Sequence, residues 1–117
     1  MTSALVGKLG ENIARKYLEN KDYNIIEQNY RTKYAEIDLV AKKDNILAFV
    51  EVRTKTGEQF GTPEETINGD KKRRLRVNSM AYIARKKWKG LYRMDAICIV
   101  LNPNQELERL NHYKNIY

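Results

Sequence analysis

The sequence predicts an α/β fold, a three-layer-like sandwich with a central mixed β-sheet flanked by helices, in the order α-β-β-β-α-β-(β). Three observations predict it: apolar residues at helical spacing near the N-terminus, three successive runs rich in β-branched and aromatic residues, and a long basic helix leading into a further apolar run.

Residues 3–20 read as the first helix, because Val6, Gly10, Ile13, Ala14 and Tyr17 recur at spacings of three and four and share one face. Ser3 is the expected cap. Glu11 falls about a third of a turn from the centre of that stripe, so its carboxylate flanks the buried face and can reach a sheet edge. Extended segments follow at 23–28, 34–41 and 46–54. Lys43-Asp44-Asn45 is a turn short enough to make a hairpin of the last two. Residues 57–61, with Gly57 and Gly61, read as a mobile loop. Thr62-Pro63-Glu64-Glu65 has the signature of a helix start, which Gly69 interrupts before the main helix over about 70–87. Residues 94–100 read as a buried strand, and 107–113 as an edge strand.

The main helix carries two apolar stripes, Leu75, Ser79, Tyr82 and Ile83 on one face and Val77, Met80, Ala81, Ala84 and Trp88 on nearly the opposite one. Such a helix packs on the sheet with one face and leaves the other for a partner, a second copy of the chain among the options.

With 117 residues, 42% hydrophobic and 32% charged, the chain suits one domain over 1–117 with its own core. No apolar run approaches the ~20 residues of a membrane span, and no secretory leader is legible. Cys98 is the only cysteine, which excludes an intramolecular disulfide and a cysteine-based zinc site. A cytoplasmic location with no membrane partner is therefore expected. Net charge is +7, and residues 70–89 hold nine Lys or Arg against Asp70 alone. That concentration points to a polyanionic partner, with a merely solvated helix as the alternative.

Acids inside apolar strands require a reason, since an ionised carboxylate is costly to bury without a partner. By the two-residue strand period, Glu36 and Asp38 share one face of their segment, and Glu51, Arg53 and Lys55 share one face of the next. If the segments are neighbours, Asp38 and Glu51 converge. Two carboxylates about 5 Å apart repel by roughly 3 kcal/mol at an effective dielectric of 20, so the pair calls for a cation or a shared proton. Salt bridges to Arg53 on a solvated face are the other reading. His112, the only histidine, and Cys98 read as structural, and no phosphate-cradling glycine motif is present.

Gly10-Glu11-x-x-Ala14-x-x-Tyr17-Leu18, Asn29-Tyr30-Arg31, Glu36-Ile37-Asp38-Leu39-Val40, Phe49-Val50-Glu51-Val52-Arg53, Phe60-Gly61-x-Pro63 and Lys71-x-x-Arg74-Leu75 together resemble the YraN-like family of small predicted endonucleases, from Gly7 to about Asp95. Helix Glu11, strand Asp38 and the Glu51-Val52-Arg53 tripeptide also resemble the PD-(D/E)XK nuclease core, an arrangement shared by archaeal Holliday junction resolvases. The resemblance implies a restriction endonuclease-like fold and metal-dependent hydrolysis of a phosphodiester in structured or branched DNA. It implies that Asp38, Glu51 and the Val52 carbonyl hold Mg²⁺ or Mn²⁺, with Glu11 binding directly or through water, and it makes a homodimer an option. Tyr30, Arg31, Lys71, Lys72, Arg73, Arg74 and Arg76 are the expected nucleic-acid contacts. Arg53 stands where the superfamily has lysine, and Ala35 where the family has glycine. A guanidinium stays protonated and cannot act as a base, so Lys55 or Lys71 is the substitute amine. The rival readings are a nuclease fold that binds without cutting, and a protein or RNA interaction module built on the basic helix.

Overall fold

Two helices, α1 (Ser3–Asn20) and α2 (Gly69–Lys86), and five strands, β1 (Asn24–Arg31), β2 (Glu36–Lys43), β3 (Ile46–Thr56), β4 (Leu91–Leu101) and β5 (Leu107–Tyr113), follow the order read from the sequence. The structure, a computed structural model, describes residues 1–33 and 35–117, so Tyr34, the expected first residue of the second strand, lies outside the described residues. The strands form one sheet in chain order, each pair antiparallel except β3 and β4. Those two are parallel because the chain crosses over through α2 between them.

Alternate residues of β3 split the core into two layers. Ala48, Val50 and Val52 pack with Ala14 and Leu18 of α1, whereas Leu47 and Phe49 pack with Leu75 and Tyr82 of α2. The helices therefore cover opposite faces of the sheet. No helix among the described residues is long and apolar enough to cross a membrane.

Gly10 sets how closely α1 lies on β3. A Cβ at that position would overlap the Thr54 hydroxyl and stand 2.7 Å from Thr54 Cβ. Gly10→Ala is accordingly expected to cost about 1–3 kcal/mol by overpacking, read as a lower denaturant midpoint. A cost under a few tenths would mean that α1 shifts freely.

The C-terminal strand is tied in through a buried polar chain. Asp95 is 0% exposed, and Arg93 donates to it from both Nε (2.9 Å) and Nη2 (2.9 Å). His112 Nε2 bonds the same carboxylate at 2.8 Å, while His112 Nδ1 bonds the Tyr17 hydroxyl at 3.0 Å. The backbone N–H of Asn115 donates to Asp95 at 3.0 Å. Burial works against the charge, yet the bonds from His112 and Arg93 hold the Asp95 carboxyl below its ordinary range.

Several local expectations are corrected. Thr2, one residue before the expected Ser3, caps α1 by accepting from Leu5 N–H at 3.2 Å. Thr62-Pro63 opens only a single 3₁₀ turn, Glu64–Thr66, and α2 starts afresh with Asn68 accepting from Lys71 N–H at 3.0 Å. Gly69 is thus the first residue of α2, not an interruption. The chain leaves α2 at Lys87 in a left-handed conformation (φ 55°). Trp88 folds back, donating to the Leu91 carbonyl at 2.9 Å, and so drops out of the second stripe of α2. Val77, Ala81 and Ala84 of that stripe are exposed.

Candidate functional site

The hairpin of β2 and β3 turns through Asp44-Asn45, and its register runs from Lys43 opposite Ile46 to Leu39 opposite Val50. There the ladder stops. Beyond it the Val52 N–H, which faces β2, meets the Asp38 carboxylate in place of a carbonyl, at 2.8 Å. A residue's N–H and C=O project to the same side of a strand, so the Val52 carbonyl opens onto the same gap. Asp38 therefore occupies the cleft where the two strands part.

Three carboxylates meet at that cleft. Glu11 of α1, Glu36 and Asp38 each offer an oxygen within 4.8 Å of the other two. Asn29 of β1 joins two of them: it sits in the left-handed region (φ 53°), and its amide donates to Glu11 Oε1 at 2.8 Å and Glu36 Oε1 at 3.0 Å. Arg31 holds the other oxygen of Glu36 at 2.8 Å. The close approach of α1 at Gly10 brings the next residue, Glu11, to the sheet.

Glu51 stands outside this set of three but lines the same pocket, with Glu36, Asp38, Lys71, Arg74 and Leu75. Burial, then the neighbouring Glu51 carboxylate, push Asp38 up to about 8 against the opposing Val52 N–H, with Glu11 and Glu36 adding to the rise. Burial also raises Glu51, against Lys71 and Arg53. In the absence of a cation, the cluster keeps a proton at neutral pH.

The donor set fits a hard divalent cation. Oxygens on an octahedral Mg²⁺ at about 2.1 Å lie roughly 3 to 4.2 Å apart, close to the spacing of the three carboxylates. Burial is the first cause of the raised Asp38 and the neighbouring carboxylates add to it, so a cation in the cleft would relieve both.

The other site residues read from the sequence divide clearly. Arg53 sits beside Glu51 (3.5 Å) and donates from Nε to Thr66 at 2.8 Å. Lys55 donates to the Phe60 carbonyl at 3.4 Å, so of the two substitute amines it is Lys71 that lines the pocket. Of the basic stretch, Lys71 and Arg74 face the acids. Lys72 lines a different surface pocket, with Glu64 and Tyr113, Arg73 pairs with Asp70 at 2.7 Å, and Arg76 covers the Tyr117 ring at 4.7 Å. The Tyr30 ring packs edge-on against Tyr82 (5.0 Å), and its hydroxyl accepts from Arg85 at 3.3 Å.

Two residues of the cleft had no role assigned from sequence. The two-residue period already placed Glu36 on the face of Asp38, which was the available signal. Asn29 stood in the Asn29-Tyr30-Arg31 motif, but its bridging role was not legible, because it depends on a left-handed residue inside a strand.

The sequence profile of the uncharacterised protein family UPF0102 matches residues 10–99, a span that includes every candidate site residue. The chain is 38% identical to a UPF0102 protein of Pelotomaculum thermopropionicum, over 97% of this chain and 95% of that one. It is 41% identical to a UPF0102 protein of Alkaliphilus metalliredigens, over 94% and 97%. With a UPF0102 protein of Dictyoglomus turgidum the identity is 32% over the full length of both.

Proposed function

We propose that this chain, which belongs to the uncharacterised protein family UPF0102, is a divalent-cation-dependent nuclease-like protein that binds structured or branched DNA and hydrolyses its phosphodiester backbone. The observation that carries the reading is the convergence of Glu11 with Glu36 and Asp38, the last two of which line a pocket with Glu51, Lys71 and Arg74. The likeness of Glu11, Asp38 and Glu51-Val52-Arg53 to the PD-(D/E)XK core supports it.

Lys71 and Arg74 draw a backbone phosphate toward the acids. Glu11, Glu36 and Asp38 would hold Mg²⁺ or Mn²⁺, with Glu51 and the Val52 carbonyl at hand in the same cleft. Bound there, the ion supplies Lewis-acid polarisation of the phosphate and a water of lowered pKa. Arg53, fixed between Glu51 and Thr66, stays protonated and stabilises charge on the phosphate without accepting a proton. The same fixation favours a second reading, in which the protein binds nucleic acid and does not cut it. The uncovered stripe of Val77, Ala81 and Ala84 is where a second copy would dock.

The test is a four-way DNA junction incubated with Mn²⁺. Wild type is expected to cleave it and Glu51→Gln to leave it intact, while both bind it in Ca²⁺. For about four neutralised phosphates the log-log salt slope is near −3.6, or roughly 100-fold weaker binding between 50 and 200 mM salt. Equal cleavage by Glu51→Gln would move the chemistry elsewhere, binding without cleavage would favour the second reading, and a flat salt response would remove the basic face from the argument.

A further inference from the structure

Phe60 is 89% exposed, the most exposed large apolar side chain among the described residues. It stands on a short loop whose ends are fixed. Gly57 (φ 71°) donates its N–H to the Leu101 carbonyl at 2.9 Å, and Gly61 (φ 109°) donates to the Glu58 carbonyl at 3.1 Å. Arg109 grips Glu58 at 3.2 Å and Glu64 at 2.7 Å, on either side of the ring. Thr66 bonds the Pro63 carbonyl at 2.6 Å, and Lys55 bonds that of Phe60 itself. The loop expected to be mobile is thus braced by these bonds, and it presents an apolar ring to solvent with its face free to stack.

Position and charge indicate what the ring meets. Glu51, Arg53 and Lys55 alternate along one face of β3, so Lys55 lies about 13 Å from Glu51 at the strand rise of ~3.3 Å. Lys55, which donates to the Phe60 carbonyl, therefore puts the loop of the ring at the far end of that face from Glu51. The two acids gripped by Arg109 are neutralised, while Glu65 and the Lys55 ammonium lie together beside Gly61. With the pocket cations Lys71 and Arg74 and a net charge of +7, the surroundings suit a polyanion carrying flat apolar faces.

We infer that Phe60 is a stacking wedge, entering the nucleic acid to one side of the cleavage position at a step already unstacked by a branch, bulge or end. The inference rests on the nuclease-like reading and narrows it: the wedge selects interrupted stacking over continuous duplex, because an open step presents a base face without the cost of unstacking. Binding of the pinned ring loses little conformational freedom.

The experiment compares wild type, Phe60→Ser and Phe60→Trp on a four-way junction carrying 2-aminopurine beside the branch point and on linear duplex of matched length, in Ca²⁺. Phe60→Ser is expected to bind the junction about tenfold more weakly, to bind linear duplex within twofold of wild type, and to lose the rise in 2-aminopurine fluorescence. Phe60→Trp restores both. Equal junction affinity and equal fluorescence for wild type and Phe60→Ser overturn the wedge, as does a wild-type dimer in sedimentation that Phe60→Ser converts to monomer. Calorimetric titration of Mn²⁺ into the same proteins separates the two levels. Intact Mn²⁺ binding with no Phe60 effect rejects the wedge alone, and loss of Mn²⁺ and nucleic-acid binding by wild type rejects the nuclease-like reading and the wedge with it.

Discussion

Stripped of divalent cations at pH 8.5, Asp38→Asn is expected to be more stable than wild type, and the advantage is expected to shrink toward pH 5. The Asp38 carboxyl is pushed up to about 8 by burial and then by Glu51, so the folded chain binds a proton that the unfolded chain releases near pH 4. Stability from that proton is fully present below the unfolded pKa and is lost as pH rises through the folded one. Asparagine can still accept the Val52 N–H without carrying charge. The change in the stability difference between pH 5 and pH 8.5 is about 2–4 kcal/mol, readable from denaturant midpoints. Saturating Mn²⁺ reverses the comparison: ligand at 100 times its Kd stabilises the wild type by about 2.7 kcal/mol and leaves Asp38→Asn unmoved. If Mn²⁺ raises both proteins equally, or neither, Asp38 does not hold the cation.

Asp95→Ala is expected to cost about 3–5 kcal/mol at pH 7, the scale for removing one partner of a buried ion pair. It strands the Arg93 guanidinium and the His112 ring, both of which point at the lost carboxylate. Here the pH dependence has the opposite sign. A carboxyl held below its ordinary range gives stability that is present above the unfolded pKa and lost as pH falls through the folded one. The gap between wild type and Asp95→Ala therefore narrows in acid, whereas that between wild type and Asp38→Asn opens in base. Mn²⁺ titration of Asp95→Ala below its unfolding midpoint should match wild type. A gap under about 1 kcal/mol, or one unchanged between pH 7 and pH 3, would show that the buried chain is not closing the sheet.

The contrast between these acids marks what the sequence disclosed. Strand period two placed Glu36, Asp38, Glu51 and Arg53 on their faces, and the hairpin turn made the first pair neighbours of the second, all of it local information. The limits of α1 were legible because its stripe repeats cleanly from Val6 to Tyr17. The end of β1 was not, since Asn29 takes a left-handed φ within the strand and Tyr30 and Arg31 continue the pairing beyond it. Asp95 and His112 were opaque for a different reason. Tyr17 and His112 are 95 residues apart, and no local pattern shows that a lone histidine near the C-terminus is buried against a helix near the N-terminus. The basic helix was read correctly as basic, but which of its cations face the acids depended on where Asn68 starts the helix and so sets its rotation.

With Glu36, Asp38 and Glu51 on the hairpin, Glu11 on α1, and Lys71 and Arg74 on the crossover helix, the site draws its acids and its pocket cations from different elements. The β2–β3 hairpin is held by its own ladder and by packing on both faces, Ala48 and Val50 against α1 and Leu47 and Phe49 against Leu75 and Tyr82 of α2. Substitution at the outward positions of α2, such as Arg73 or Arg76, changes the charge of that face while the carboxylate geometry stays as it is, because these groups share no partners with the acids. Lys71 and Arg74 are where the two sets meet, and there a change of sequence alters both at once. The charge of the outer face of α2 and the geometry of the acids can therefore change independently everywhere but at those two residues.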